Sequence, residues 1–285
     1  MKKDIPLFLA KPEISKHEEK IIEFFGGYQA VKADIAKSIE DIHGGRELPA
    51  TVTIVICFTN RSGSNLLAEG IATNSNAVLG GEYFNYPTVI NFCKRLGIHS
   101  FSEYCMRLQR HKFGKKKDRV FCTKLGQSQL YFLTKMKILP HLLPNPRFIL
   151  IKRRDVLAQA VSFSIAYQTK KWKSSIEGEG SPVVFRENDI TNRVEAIVKS
   201  NASFEEYFAL TGERCFQIYY EDLVEDFGGK MSEAITNLGL ELTGAPEYSA
   251  LSLKRQATSI NQQFADRMRQ TCSLYRTDPP EKNGE

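Results

Sequence analysis

One stretch constrains the fold of this chain more than any other. Residues Val52–Phe58 (VTIVICF) form a near-continuous apolar, β-branched run. It is followed at once by Thr59-Asn60-Arg61-Ser62-Gly63-Ser64-Asn65, and then by Leu66, Leu67, Gly70 and Ile71 at helical spacing. An apolar run without alternation is the pattern of a strand buried on both faces of a parallel sheet. A strand, a short Gly/Ser loop and a helix start together make an anion site. Loop N–H groups and the unpaired N–H groups of the first helical turn converge there, and the helix dipole adds partial positive charge. Arg61 puts a full charge at the mouth, and the Ser62 and Ser64 hydroxyls add donors. An ordinary strand-to-helix turn with a solvated arginine is the competing account of the same residues.

The loop differs from the nucleoside-triphosphate motif G-x-x-x-x-G-K-[ST]. Asn65 follows Ser64, and neither the lysine nor the magnesium-holding hydroxyl of that motif has a counterpart. ATP hydrolysis needs both. The expectation is therefore a cradle for phosphate or sulfate that works without a metal.

The rest of the chain reads as strands spaced by helices. Residues 11–43 have a helical pattern broken at Gly26-Gly27 and closed by His43-Gly44-Gly45. They make an N-terminal extension, within residues 1–48, that could pack on the domain or serve a subunit contact. The helix after the loop should run to about Thr73, with a short strand at 77–79 before Gly80-Gly81-Glu82. Residues 86–113 read as helical, 119–124 (RVFCTK) as a strand, 127–137 as a short helix and 147–151 (RFILI) as another buried strand. A helix from Asp155 to about Lys171, a long helix over 189–210, a strand at Cys215–Tyr219 and a helix over 230–238 follow. The tail 277–285 (TDPPEKNGE) reads as disordered. This order predicts a three-layer α/β/α fold around a mostly parallel central sheet, with residues 1–285 as one domain.

Bulk properties narrow the function. The net charge of +6 suits an anionic small molecule and is too weak to argue for nucleic acid. Six cysteines are scattered without C-x-x-C pairs, and Cys57, Cys122 and Cys215 sit in apolar runs. That usage predicts a reduced, cytoplasmic protein with neither a disulfide frame nor a zinc site. No apolar stretch approaches the length of a membrane span.

A second basic cluster, Lys152-Arg153-Arg154, ends the strand at 147–151 just before Asp155 opens a helix. Ligands of open α/β sheets sit at that edge. The alternative is that these arginines pair with surface carboxylates such as Glu187 or Asp189. Two anion sites at strand ends would suit one ligand that is anionic at both ends.

Arg61-Ser62-Gly63-Ser64 with Leu66-Leu67, followed by Gly81-Glu82-Tyr83-Phe84, resembles the opening of PAPS-dependent sulfotransferases, especially the bacterial trehalose 2-sulfotransferase family. Lys152-Arg153-Arg154-Asp155-Val156, Gln159-Ala160-Val161-Ser162-Phe163, Gln168-Thr169 and Trp172 are similar to that family's second motif. Tyr220-Glu221-Asp222-Leu223 and Arg255-Gln256-Ala257 add to the likeness, which covers about residues 52–270. It implies a phosphate-loop (P-loop NTPase-like) sulfotransferase fold. It also implies 3′-phosphoadenosine-5′-phosphosulfate (PAPS) as sulfate donor, no metal, and a carbohydrate or glycolipid hydroxyl as acceptor. Arg61, Ser62, Gly63, Ser64 and Asn65 would bind the 5′-phosphosulfate. Arg153 and Ser162 would hold the 3′-phosphate, with Arg255 as a third contact.

Glu82 would be the general base, with His99 as the runner-up, and Arg61 or Lys124 would meet charge on the leaving oxygen. The likeness also makes a homodimer reasonable. Asn65 stands in place of a threonine, Arg154 in place of a proline, and Gly126-Gln127 lack a tryptophan the family often has after its lysine. Trp172 or the Tyr83-Phe84 pair could stack on a sugar or on adenine, or belong to the core. A nucleotide kinase of related architecture and a non-catalytic nucleotide-binding regulatory module are the alternative functions.

Overall fold

The computed structural model describes residues 15–114, 119–170, 172, 183–252 and 259–272. They divide into two compact units. One comprises Met1–Arg154 with Ser200–Ser252, the other Asp155–Lys199 with Leu253–Glu285.

The first unit is built on four parallel strands, β1 (Val52–Phe58), β2 (Val120–Leu125), β3 (Pro146–Lys152) and β4 (Cys215–Tyr219), in the spatial order β2-β1-β3-β4. β1 and β2 are buried almost throughout, as a sheet covered on both faces requires. Helices α1 (Lys16–Phe24), α2 (Tyr28–His43), α3 (Ser64–Asn74), α4 (Tyr86–Leu96), α5 (Phe101–Phe113), α6 (Gln127–Lys135) and the single turn α7 (Ile138–His141) belong to this unit. The expected α/β class with a mostly parallel sheet is what forms. Ile21, Ile22, Phe25, Val31 and Ile35 of the N-terminal extension lie in the main core, so its apolar face packs on the domain.

The sheet order places the site. From β1 the chain crosses to β2 on one side, and from β3 it continues to β4 on the other. The crevice between the carboxyl ends of β1 and β3 is thus a topological switch point, where open α/β sheets bind ligands. Phe58 pairs with Ile151 in register, so residues 59–63 and 153–154 leave the sheet side by side.

Several boundaries depart from the sequence reading. Residues 77–79 are not a strand: Val78 N–H donates to the Val120 carbonyl, and Gly81 makes an isolated parallel bridge to Thr123. A glycine is required there, because a Cβ on Gly81 would sit 2.5 Å from the Tyr83 ring. The 86–113 segment divides into α4 and α5, with Gly97 in the left-handed conformation and Ser100 as the next N-cap.

The second unit contains α8 (Val156–Thr169) and the start of α9 (Glu187–Thr211), whose later residues lie in the first unit. α10 (Tyr220–Glu225) and α11 (Phe227–Asn237) return to the first unit, and α12 (Ser259–Thr271) to the second. The helical pattern over 230–238 gave α11 only in part; α10 and α12 were not anticipated. Asp155 caps α8 by accepting from Ala158 N–H at 2.8 Å. Ala160, Val161, Ile190, Ile197, Ala265 and Met268 form this unit's core. The tail 277–285 and Arg255 lie outside the described residues.

Candidate active site

β1 ends at Phe58, and the loop that follows turns into α3 through two left-handed residues, Arg61 (φ 66°) and Gly63 (φ 94°). For a non-glycine residue that conformation costs about 1–2 kcal/mol, and such strain gathers at functional loops. Gly63 cannot be replaced without movement, because a Cβ would meet the Tyr220 ring at 2.4 Å. Gly63 is also the N-cap of α3 and offers no side-chain cap, so the helix's first N–H groups have no side-chain acceptor at the cap. Ser62 is fully buried and its Oγ has no hydrogen-bond partner among the described residues. An orphaned buried hydroxyl beside uncapped helix N–H groups is the donor set an anion would satisfy.

The Arg61 guanidinium is pushed down from its usual range, first by burial and then by Arg153, while Tyr220 acts in the opposite sense. Two cations from separate strand ends therefore share one electrostatic neighbourhood, as two anion sites for one ligand require. The Arg153 guanidinium stacks 4.8 Å from the Tyr220 ring centroid. Its Nε is buried without a hydrogen-bond partner among the described residues, 3.6 Å from Glu221 Oε1. Tyr220 is thus shared: one loop rests on its ring through Gly63, the other through Arg153.

The remaining cations of the second cluster are spoken for. Lys152 Nζ donates to Glu205 Oε1 at 2.6 Å. Arg154 makes a two-pronged contact with Asp222 at 2.5 and 2.7 Å, and its backbone N–H donates to Glu221. Pairing of the two arginines with carboxylates, the alternative account of this cluster, is what Arg154 shows, but the carboxylates are Asp222 and Glu221, not Glu187 or Asp189. Asp189 is held instead by Arg193 and Ser164 in the second unit. The register explains the choice: Lys152 lies opposite Tyr219, so the residues after β3 and those after β4 emerge together.

On the other side of β1, Lys124 stands near the end of β2 with only 4% of its side chain exposed. Its Nζ donates to Asn65 Oδ1 at 2.5 Å and to Glu82 Oε1 at 3.2 Å, and lies 5.1 Å from the Phe58 ring centroid. Glu82 is 42% exposed. Its backbone is fixed by Gly81, whose carbonyl accepts from Lys124 N–H at 2.9 Å and from the Thr123 hydroxyl at 3.2 Å. The spacing between Glu82 and the loop was readable in the sequence, whereas the Asn65–Lys124 bond was not.

The first unit thus brings Arg61, Ser62, Gly63, Ser64, Asn65, Glu82, Lys124 and Arg153 to one edge of the sheet. Ser162 lies half-buried on α8 in the second unit. His99 is an exposed residue of the loop between α4 and α5. Tyr83 and Phe84 are core residues, whereas Trp172 is partly exposed, its ring centroid 6.0 Å from that of Phe163.

A parallel α/β sheet with a Gly/Ser loop after its first strand, a second cation at the neighbouring strand end, and a carboxylate–lysine pair beside them is an arrangement able to hold an anionic ligand. The Stf0 sulphotransferase family model matches residues 53–271, and the chain belongs to that family. It is a sulfotransferase, with a sulfate donor and a small-molecule acceptor as that class implies. Two solved structures are similar to it. The sulfotransferase domain from the Synechococcus PCC 7002 olefin synthase is 14% identical with a TM-score of 0.48, covering 78% of this chain and 95% of that one. The sulfotransferase STF1 from Mycobacterium tuberculosis H37Rv is 12% identical with a TM-score of 0.42, covering 86% of this chain and 78% of that one. No curated protein matches the chain. Among the described residues, no helix is long and apolar enough to cross a membrane.

Proposed function

We propose that this chain, as a single domain over residues 1–285, moves a sulfuryl group from PAPS to a hydroxyl of a carbohydrate or glycolipid acceptor. The observation that supports this most directly is the convergence of Arg61 and Arg153 from the ends of β1 and β3, beside the Lys124–Glu82 pair. The donor supplies an activated sulfuryl group on a nucleotide that is anionic at both its 5′ and 3′ ends. Loop N–H groups, Ser62, Ser64 and Arg61 bind the 5′ end, and Arg153 takes the 3′-phosphate. Ser162 and Arg255 are added to the 3′ end by family resemblance alone.

Sulfuryl transfer, like phosphoryl transfer, has a loose transition state, so positioning and charge stabilisation do most of the catalysis. Glu82 accepts the proton of the attacking hydroxyl as the new bond forms. Arg61 and Lys124 meet the charge that builds on the leaving oxygen. Those cations stand where a phosphate-loop kinase would rely on its own lysine and magnesium, so no metal is invoked. A cytoplasmic homodimer is the expected setting, and light scattering giving only a monomer would refute the dimer.

Calorimetric titration with 3′-phosphoadenosine-5′-phosphate, beside ATP, in EDTA tests the donor reading. Tight binding of the bisphosphate and weak binding of ATP is the expected result. ATP binding that appears only with magnesium would point to a kinase and overturn the reading, and binding of neither would remove PAPS as the donor.

A further inference from the structure

The Lys124 ammonium sits between two parts of the site with different tasks. On one side is Asn65, in the first turn of α3 beside the anion cradle; on the other is Glu82. Both contacts are within hydrogen-bond distance, 2.5 Å to Asn65 Oδ1 and 3.2 Å to Glu82 Oε1, and the lysine is almost wholly buried. A lysine amine only donates, so the Asn65 oxygen must face it. A four-carbon side chain gives up much rotamer freedom when fixed, and its strongly hydrated head needs partners once buried. Glu82 is a poor anchor for it, being long and 42% exposed. Asn65 has a short side chain on a helix turn, which makes it the rigid partner of the two.

We propose that Asn65 is a positioning residue for sulfuryl transfer, acting through Lys124. The inference rests on the reading of Glu82 as base and of the loop as the donor cradle. The Asn65 amide oxygen holds the ammonium where cradle and base meet. From there Lys124 orients the Glu82 carboxylate before the acceptor arrives and lies close to the charge developing in the cradle. A threonine hydroxyl sits on Cβ, one bond nearer the backbone, and falls short of the lysine. An aspartate would reach it but would bring negative charge to an anion site.

Donor cleavage by water gives a readout that needs no identified acceptor. A water oxygen bonds to sulfur, the bridging S–O bond breaks with its electron pair leaving on the nucleotide phosphate, and Glu82 takes the water proton. The products are sulfate and 3′-phosphoadenosine-5′-phosphate, followed by chromatography. Asn65→Ala and Asn65→Thr should each slow this cleavage about 10- to 100-fold. Calorimetric affinity for the bisphosphate should stay within about twofold, since on this account Asn65 holds Lys124 and is not the 5′-phosphosulfate ligand that the family resemblance implies. In a Lys124→Ala background, Asn65→Ala should have no further effect on the rate.

Equal losses of rate and affinity, or additive effects in the double variant, would make Asn65 a direct ligand and overturn the proposal. Unchanged rates in both Asn65 variants would do the same. Melting curves identify a variant that fails to fold, and the other substitution then carries the test. Failure of the unsubstituted protein to bind the bisphosphate would sink the donor reading, and this inference with it. Wild-type cleavage by Glu82→Gln would remove the base assignment and overturn this inference with it, while leaving the donor reading in place.

Discussion

The ends of β1 and β3 each carry arginine to the carboxyl edge of the sheet, and the two differ in the folded chain. After β3, Lys152 and Arg154 are matched by Glu205 and Asp222, and Glu221 approaches Arg153. After β1, Arg61 has a second arginine in its field, with burial and like charge both disfavouring its charged form. Beside it lie uncapped helix N–H groups and a buried hydroxyl without a partner among the described residues. The first edge is held together by its own carboxylates; the second brings two like charges into one field. Within the basic cluster only Arg153 belongs to both descriptions, since it is tethered by Glu221 and Tyr220 while bearing on Arg61. Charge read along the chain therefore does not tell which cations folding will match with carboxylates.

The largest effect that would break this contrast is at Gly63. Gly63→Ala puts a Cβ into the Tyr220 ring at a left-handed φ. It should cost about 2–4 kcal/mol of stability and abolish bisphosphate binding, as melting curves and calorimetry would show. Retained binding would mean that the loop need not keep this shape to hold an anion.

Glu82→Gln should lower turnover by about 10²–10⁴-fold while leaving bisphosphate affinity near wild type, because the cradle is untouched. A matched loss of affinity would assign Glu82 to binding instead of proton transfer.

Arg153 and Arg154 sharpen the contrast within one cluster. Arg153→Ala should weaken the 3′,5′-bisphosphate about 10- to 100-fold and 5′-adenylate much less, as expected for a charge-assisted contact to the 3′-phosphate. Arg154→Ala should change neither affinity noticeably and leave the melting temperature close to wild type, because its pair with Asp222 is solvent-exposed. Comparable losses from both would show that the carboxylates do not keep Arg154 out of the site.

The remaining test concerns the Arg61–Arg153 repulsion itself. An anion that fills the cradle relieves the Arg61–Arg153 repulsion, so bisphosphate at a hundred times its Kd should add about 2.7 kcal/mol of stability. The affinity behind that gain should fall with added salt. A protein with Arg61→Ala, at the same concentration, should gain less, and an equal gain would place the anion elsewhere.

Much of this protein was legible in the sequence. Strand positions came from apolar β-branched runs, because a strand buried on both faces carries few polar side chains; β1 and β4 fall at the expected residues, although β4, at the sheet edge, is only partly buried. The tight turn after β1 was visible because a glycine between a strand and a helix marks a left-handed position there. Short-range signals failed where a segment depends on a distant partner. Residues 77–79 have strand-like character but make only isolated contacts with β2, and α10 is too short to leave a periodic pattern.

The sequence by itself determined which residues carry charge, where the chain turns and which runs must be buried, since each follows from local chemistry. Only the tertiary structure decided which charges meet. That Lys124 bridges Asn65 and Glu82, that Tyr220 supports both loops, and that Arg154 is paired while Arg61 faces another cation all depend on sheet order and register. Those are set by packing between segments dozens of residues apart, and no local pattern encodes such contacts.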